Sequence, residues 1–270
     1  MEKPRVLTRI RRLGKGAEAT VDLVEDTRTK ELLAQRTIVF DDPGDISEFL
    51  KEVLIMKQLS ESKECSKYAV CLKGYTYDDA SGSILMTYIP NAVPLMFTYV
   101  EMREKLSFSL RWVLFRNALR SWTWLHRLGI YHADLHEGNI MVNPHTLQVW
   151  LIDFGMAMSE KSVRFSAKLS GRAPAPALKT FQKLYAKGPK KLVKVLLLKL
   201  FGFSPRKRRG RKKNQKPPYR FMRTLTPDQK STIVHAWESV QGKSNVDHLL
   251  NPHRRKWLSP CGNPCARTKP

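Results

Sequence analysis

Acidic residues almost vanish from this 270-residue chain after position 160: residues 161–270 hold 3 Asp+Glu against 28 Lys+Arg, whereas residues 1–160 hold 21 against 20. The net charge of +24 arises wholly in the C-terminal part. So lopsided a distribution implies either a solvated basic segment or a polyanionic partner. Cysteine is scarce too. Four residues, scattered along the chain, are too few for a disulfide framework. Cys261 and Cys265 form the close pair, and without a second Cys/His pair at finger spacing they read as reduced thiols rather than a zinc site. Long apolar runs are missing as well. No stretch approaches the roughly 20 apolar residues that span a bilayer, and Met1-Glu2-Lys3-Pro4-Arg5 has no apolar signal core behind it. The expectation is a soluble, intracellular protein without internal repeats.

What is present is enough apolar content, 42%, to bury one large core or two small lobes. Residues 10–40 read as three antiparallel strands: one before a glycine turn, one over 20–24, and one over 32–40 after the polar turn 25–30. Phe49, Leu50, Val53, Leu54, Met56 and Leu59 recur at helical spacing, with Asp45 as the expected N-cap and Glu48 as its capping-box partner. Residues 70–77 and 83–89 read as two more strands. Residues 106–128, with Trp112, Phe115, Leu119, Trp122 and Leu125 on one face and Gly129 at the end, predict a buried helix. A hairpin over 140–142 and 149–152 places Asn139 and Asp153 at nearby strand ends. Beyond Met158 the periodicity degrades, apart from a short helix expected over 228–240.

The chemistry lies in His132-Ala133-Asp134-Leu135-His136-Glu137-Gly138-Asn139, followed by Asp153-Phe154-Gly155. These supply a carboxylate able to orient a hydroxyl nucleophile (Asp134), an amide oxygen for a divalent metal (Asn139), and a second carboxylate for that metal (Asp153). Phosphoryl transfer needs such a set, because its catalysis is mainly positioning and charge neutralisation. Far upstream, Gly14-Lys15-Gly16 lies between two strands, where the missing Cβ atoms let backbone N–H groups approach phosphates. A glycine turn alone is more often a plain hairpin; its order and spacing with the later motifs give it meaning.

With these motifs in this order, residues 10–160 resemble the protein-kinase-like superfamily. The resemblance implies an α+β, bilobal fold: a five-stranded N-lobe plus one helix over 1–90, an abbreviated, mainly helical catalytic C-lobe over 91–200, and a basic extension over 201–270. It implies ATP and Mg2+ as cofactors and a protein hydroxyl as phosphate acceptor, most simply that of serine or threonine. Asp134, Asn139 and Asp153 match the catalytic positions, the last two as metal ligands. Gly14, Lys15, Gly16, Val21, Ala34, Arg36, Glu52, Met86, Tyr88 and Met141 match the nucleotide site. Val21, Ala34 and Met141 correspond to the residues that sandwich adenine, and Met86 and Tyr88 to the hinge that meets its edge. Phe154 corresponds to a residue packed under the Glu52 helix, near Met56.

Departures from the family pattern are as informative. Arg36 stands where a phosphate-pairing lysine is usual; it keeps the charge and offers Glu52 a planar, bidentate fork. Lys15 is a second cation in reach of the same phosphates. Ala19 replaces a third glycine, and Ala133 replaces the arginine that pairs with a phosphorylated activation loop, which argues against activation by that route. Asp-Leu-His-x-x-Asn is also similar to the loop of small-molecule phosphotransferases, of the aminoglycoside and ABC1 kinds. Ala175-Pro176-Ala177 lacks the glutamate that closes an activation segment. A pseudokinase acting as a binding module is therefore a third reading.

Arg206, Lys207, Arg208, Arg209, Arg211, Lys212 and Lys213 put seven cations in eight residues. Such a cluster suits a nuclear-localisation signal, a nucleic-acid or other polyanion contact, or an acidic membrane surface. No aromatic residue interleaves with it, so nucleic-acid binding would be phosphate-driven. Upstream, Lys187, Lys190, Lys191 and Lys194 share one helical face, as in a C-lobe helix or a membrane-surface helix.

Overall fold

The computed structural model describes residues 5–16, 19–95 and 107–201. The basic cluster at 206–213, the helix expected over 228–240 and the Cys261/Cys265 pair lie outside the described residues. The rest divides into two compact units. Of the described residues, one unit takes those up to Asn91 together with Leu125–Asp134 and Leu151–Gln182, and the other those in 92–124, in Leu135–Trp150 and in 183–201.

Alternating, β-branched-rich runs separated by polar turns give the first unit an antiparallel sheet of β1 (Leu7–Lys15), β2 (Ala19–Asp26), β3 (Leu32–Val39), β4 (Leu72–Tyr77) and β5 (Ser81–Thr87). Their spatial order is β1-β2-β3-β5-β4. Val24, Leu33 and Leu85 cluster on one side of the sheet, with Leu7 packed against them. The period of two puts Ala34 and Arg36 on the other side of β3, opposite Leu23 and Val21 on β2 and Met86 and Ile84 on β5.

Helix α1 (Pro43–Ser60) is capped three residues before the expected cap, Asp45. Asp42 is the N-cap and accepts the Gly44 N–H at 2.5 Å, Pro43 fills the first turn, and Asp45 is the reciprocal partner of the capping box. The proline explains the shift: it pre-sets the helical φ where no N–H is needed. Phe49, Glu52, Val53, Ile55, Met56 and Leu59 form the buried face. A short α2 (Cys65–Tyr68) then reverses the chain, bringing Cys65 and Cys71 to a Cα separation of 5.9 Å, where they are joined as a disulfide. This corrects the expectation of free thiols: the local turn supplies a proximity that counting cysteines does not reveal.

In the second unit, the aromatic stripe of α3 (Phe108–Arg127) stacks on itself, Trp112 against Phe115 at 5.3 Å between ring centroids. Gly129 ends the helical segment at φ +73°. Asn117 Nδ2 donates to the Leu147 carbonyl at 2.8 Å and Ser121 Oγ to that of Val149 at 2.9 Å. These bonds hold the turn between β8 (Ile140–Val142) and β9 (Val149–Leu151), which share a sheet with β6 (Val93–Pro94). β8 follows directly on Asn139, and β9 ends two residues before Asp153.

Beyond Met158, where the sequence periodicity degrades, the chain is still built of regular elements. β10 (Met158–Ser159) pairs with β7 (Ile130–Tyr131), and α4 (Glu160–Leu169) and α5 (Ala175–Phe201) follow. Ala175-Pro176-Ala177 opens α5. Helix α4 buries Ser162, Val163 and Ala167, small or polar side chains, and carries Lys161, Arg164 and Lys168 at helical spacing away from them. No helix among the described residues is long and apolar enough to cross a membrane.

The contact between sheet and α1 sets a local limit on residue size. A Cβ at Gly82 would stand 2.6 Å from the Phe49 ring and 2.7 Å from that of Phe40, rings whose centroids are 5.6 Å apart. Gly82→Ala is expected to lower the unfolding free energy by about 1–3 kcal/mol in urea titrations. Gly74→Ala, whose Cβ meets nothing within 4 Å, is expected to change it by no more than about 0.5 kcal/mol. Equal losses would refute a steric limit at Gly82.

Candidate active site

In the first unit the site grows from β3 and α1. Arg36 Nη1 lies 2.5 Å from Glu52 Oε1 and 3.7 Å from Asp153 Oδ1. One nitrogen thus serves both carboxylates, and the expected two-pronged fork onto Glu52 is not formed. Glu52 is 4% exposed. Burial pushes its carboxyl above the ordinary carboxylate range, the Arg36 guanidinium pulls it back, and the Asp153 charge pushes it up again. Arg36 has no other side-chain partner among the described residues.

Asp153 is delivered by the strand before it. Ala69 forms a parallel bridge with Leu151, and the Val70 N–H donates to the Leu151 carbonyl at 3.3 Å. The next carbonyl, Ile152, lies 3.0 Å from His132 Nε2. A carbonyl only accepts, so Nε2 carries the proton. Asp153 itself has φ +60°, with its Oδ1 accepting the Gly155 N–H at 3.4 Å and its side chain 47% exposed. Ala133 shares the left-handed conformation at φ +63°, where the Asp134 N–H closes onto the His132 carbonyl at 2.8 Å. Non-glycine residues at positive φ are uncommon and cluster at working sites. Phe154 is buried, its ring 5.2 Å from that of His132.

The glycine turn closes β1 onto β2. Gly16 N–H donates to the Ala19 carbonyl at 2.8 Å. A Cβ at Gly14 meets nothing within 4 Å and its φ is not positive, so neither packing nor backbone conformation requires glycine there. Lys15 is exposed. Val21 lies on β2, Ala34 and Met86 are paired across β3 and β5, and Tyr88 follows β5. Asn139 and Met141 belong to the second unit. Asn139 is buried at the end of a 3-10 turn over Glu137–Asn139, capped by His136 Nδ1, which accepts the Gly138 N–H at 3.0 Å, and Met141 pairs with Pro94.

Residues 7–171, more than half of the chain, match the protein kinase domain family. The chain belongs to that family. It is similar to the maternal embryonic leucine zipper kinase of Danio rerio, 29% identical over 153 residues, which are 55% of this chain and 21% of that protein. Similarity extends to the serine/threonine-protein kinase cst-1 of Caenorhabditis elegans, 29% identical over 146 residues, 54% of this chain and 28% of that protein. A probable cell division control protein 7 homolog of Encephalitozoon cuniculi is 25% identical over 181 residues, 67% of this chain and 48% of that protein. The chain therefore spans about a fifth to a half of the length of these relatives.

Two features of this kinase-family chain escaped sequence reasoning. His132 stood at the head of its motif with no role assigned; the structure makes it the donor that fixes the Ile152 carbonyl. Ser159 and Ser162 form a capping box for α4, each accepting the other's backbone N–H, Ser159 N–H to Ser162 Oγ at 2.8 Å and Ser162 N–H to Ser159 Oγ at 3.2 Å. The signal was Ser-x-x-Ser, lacking the Glu or Gln that usually marks such a box.

Burial depresses the His132 pKa, opposed by the bond to Ile152 and by the charges of Asp153 and Asp134. A histidine whose folded pKa is depressed stabilises the fold above its unfolded value, about 6.5, and that contribution is lost as pH falls through the folded value. The stability gap between the native chain and His132→Phe is therefore expected to narrow as thermal unfolding is followed from pH 7.5 to 5. A gap that stays constant would mean that His132 does not titrate with folding.

Proposed function

We propose that this chain is an ATP- and Mg2+-dependent phosphotransferase, a divergent kinase that transfers the γ-phosphate to serine or threonine hydroxyls of a protein. The observation that carries this reading is the Arg36–Glu52–Asp153 cluster. One guanidinium nitrogen anchors to a buried carboxylate beside the half-exposed Asp153, leaving Nε and Nη2 without protein partners among the described residues. Free Arg donors suit a phosphate. Gly14 supports the same reading, because open space where a Cβ would stand admits a phosphate oxygen to the backbone.

The donor types fit a hard divalent cation: the Asp153 carboxylate and the Asn139 amide oxygen would hold Mg2+. When bound, it supplies charge neutralisation on the transferring phosphate. Asp134 would accept or orient the hydroxyl proton of the acceptor. Val21, Ala34 and Met86 would offer apolar contact to the base, and Lys15 a second cation for the phosphates.

A second reading, a nucleotide-binding pseudokinase, is favoured by one observation: Arg36 is already held by two carboxylates, and arginine does not replace lysine neutrally at such a position. Labelled ATP with Mg2+ and mixed protein substrates separates the two. Transfer is expected from the native chain and to fall at least 100-fold in Asp134→Ala and in Asp153→Ala, roughly the worth of one catalytic group, with Arg36→Lys retaining it. Transfer that survives both Asp changes would sink the site assignment. Nucleotide binding without transfer in any variant would establish the binding-module reading, and transfer to an aminoglycoside alone would make this a small-molecule kinase.

The cationic run from Arg206 to Lys213 is proposed as a nuclear-localisation signal. Alanine at its seven cations is expected to abolish nuclear accumulation of a fluorescent fusion; unchanged distribution would reject that role.

A further inference from the structure

Between Gly155 and Gln182 the first unit carries Lys161, Arg164, Lys168, Arg172 and Lys179 against a single acid, Glu160. Glu160 is satisfied locally: its Oε1 accepts from Arg164 Nε at 3.1 Å and from Nη2 at 2.7 Å. Lys161, Lys168 and Arg172 are exposed and have no ion-pair partner among the described residues. No acid among the described residues of the unit answers their charge.

Their support is ordered. Lys161 and Lys168 are two turns apart on α4, whose other side buries Ser162, Val163 and Ala167 and which packs against α1. The helix closes with Gly171 at φ +64°, the Gly171 N–H donating to the Lys168 carbonyl at 3.3 Å and the Arg172 N–H to that of Ala167 at 2.9 Å. This pair of bonds is a Schellman closure, so the backbone of Arg172 is fixed beside the helix end. The helix starts seven residues after Asp153 and is tied by the Ser159–Ser162 box and the β10–β7 pairing.

We propose that Lys161, Lys168 and Arg172 form a docking stripe for an acidic segment of the protein substrate, with Asp or Glu residues flanking the accepting hydroxyl. The inference rests on the kinase reading above and names its substrate class. Lys161 and Lys168 are roughly 10 Å apart along the helix axis, the span of about three residues of extended chain, so the stripe suits carboxylates three positions apart. Arg172 adds a planar fork matched to a carboxylate. The chain's own C-terminal part is poor in such carboxylates: Asp228, Glu238 and Asp247 are the only acids after residue 160, and no two of them are three positions apart. Nor does the stripe hold an aromatic side chain on which a nucleic-acid base would stack.

The test uses the full chain and matched serine peptides bearing Glu, Gln or Lys at two positions three residues apart. Exposed ion pairs are individually weak, so three together are expected to raise kcat/KM for the Glu peptide several-fold to about tenfold over the Gln peptide. The gain should appear in KM rather than kcat and shrink as salt rises toward 0.5 M. The triple charge reversal Lys161→Glu, Lys168→Glu, Arg172→Glu should erase or invert the preference while leaving kcat for the Gln peptide unchanged. Alanine at the seven cations of 206–213 should leave the preference intact. Equal kcat/KM for Glu and Gln peptides overturns the proposal, as does a preference lost with the 206–213 cations but kept by the triple variant. RNA binding that the triple variant loses, without any peptide discrimination, would assign the stripe to nucleic acid instead. Transfer to no peptide at all would overturn the kinase reading itself, an outcome distinct from transfer without acid preference.

Discussion

A carboxylate taken out of water must find a partner, and Glu52 on the inward face of α1 finds it in Arg36 on β3. Removing one partner of a buried pair typically costs about 3–5 kcal/mol, because the other charge is left without compensation. The pair consequently constrains register as much as it stabilises. Slipping β3 by one residue would carry Arg36 to the side occupied by Val24, Leu33 and Leu85, placing a guanidinium in an apolar cluster and leaving Glu52 alone. Gly82 serves the same contact between sheet and α1 by sparing room for the Phe49 and Phe40 rings.

Asp153 joins the pair at the end of a chain of backbone constraints. Leu151 is bridged to Ala69, Ile152 is held through its carbonyl by His132, and only then does the chain turn through a positive φ that aspartate tolerates better than most residues. His132 does this as a neutral imidazole, since burial opposes its charging and Ile152 uses its one N–H. Its ring also meets Phe154, so the residues on both sides of Asp153 are fixed by one side chain. The carboxylate is placed by its neighbours' packing and remains half open to solvent.

The strands and the helices α1 and α3 were legible because their periodicities are long and their punctuation strong: turn residues at 25–30 and Gly129. Sequence spacing also paired Arg36 with Glu52 as candidates, through order and a helix register that puts position 52 on the buried face of α1. What was not legible depended on contacts of low sequence contrast. A capping box of two serines and a disulfide made close by one short helical turn leave almost no hydropathy signal. The start of α1 was misjudged because Asp42 and Asp45 both look like caps, and the proline between them decides which one is.

The segment after Gly155 is where those faint signals matter most. In a chain with alanine at position 133, no cation at that point can draw in a phosphorylated loop. Order must then come from neutral interactions, and the residues supply them: β10 pairs with β7 directly before His132, Ser159 and Ser162 satisfy the first backbone donors of α4, and α4 packs on the helix that carries Glu52. Each link is a hydrogen bond or a packed small side chain, so its strength does not depend on added charge or on salt. The same segment therefore packs on the helix of the Arg36–Glu52 pair on one side and leaves Lys161, Lys168 and Arg172 exposed on the other.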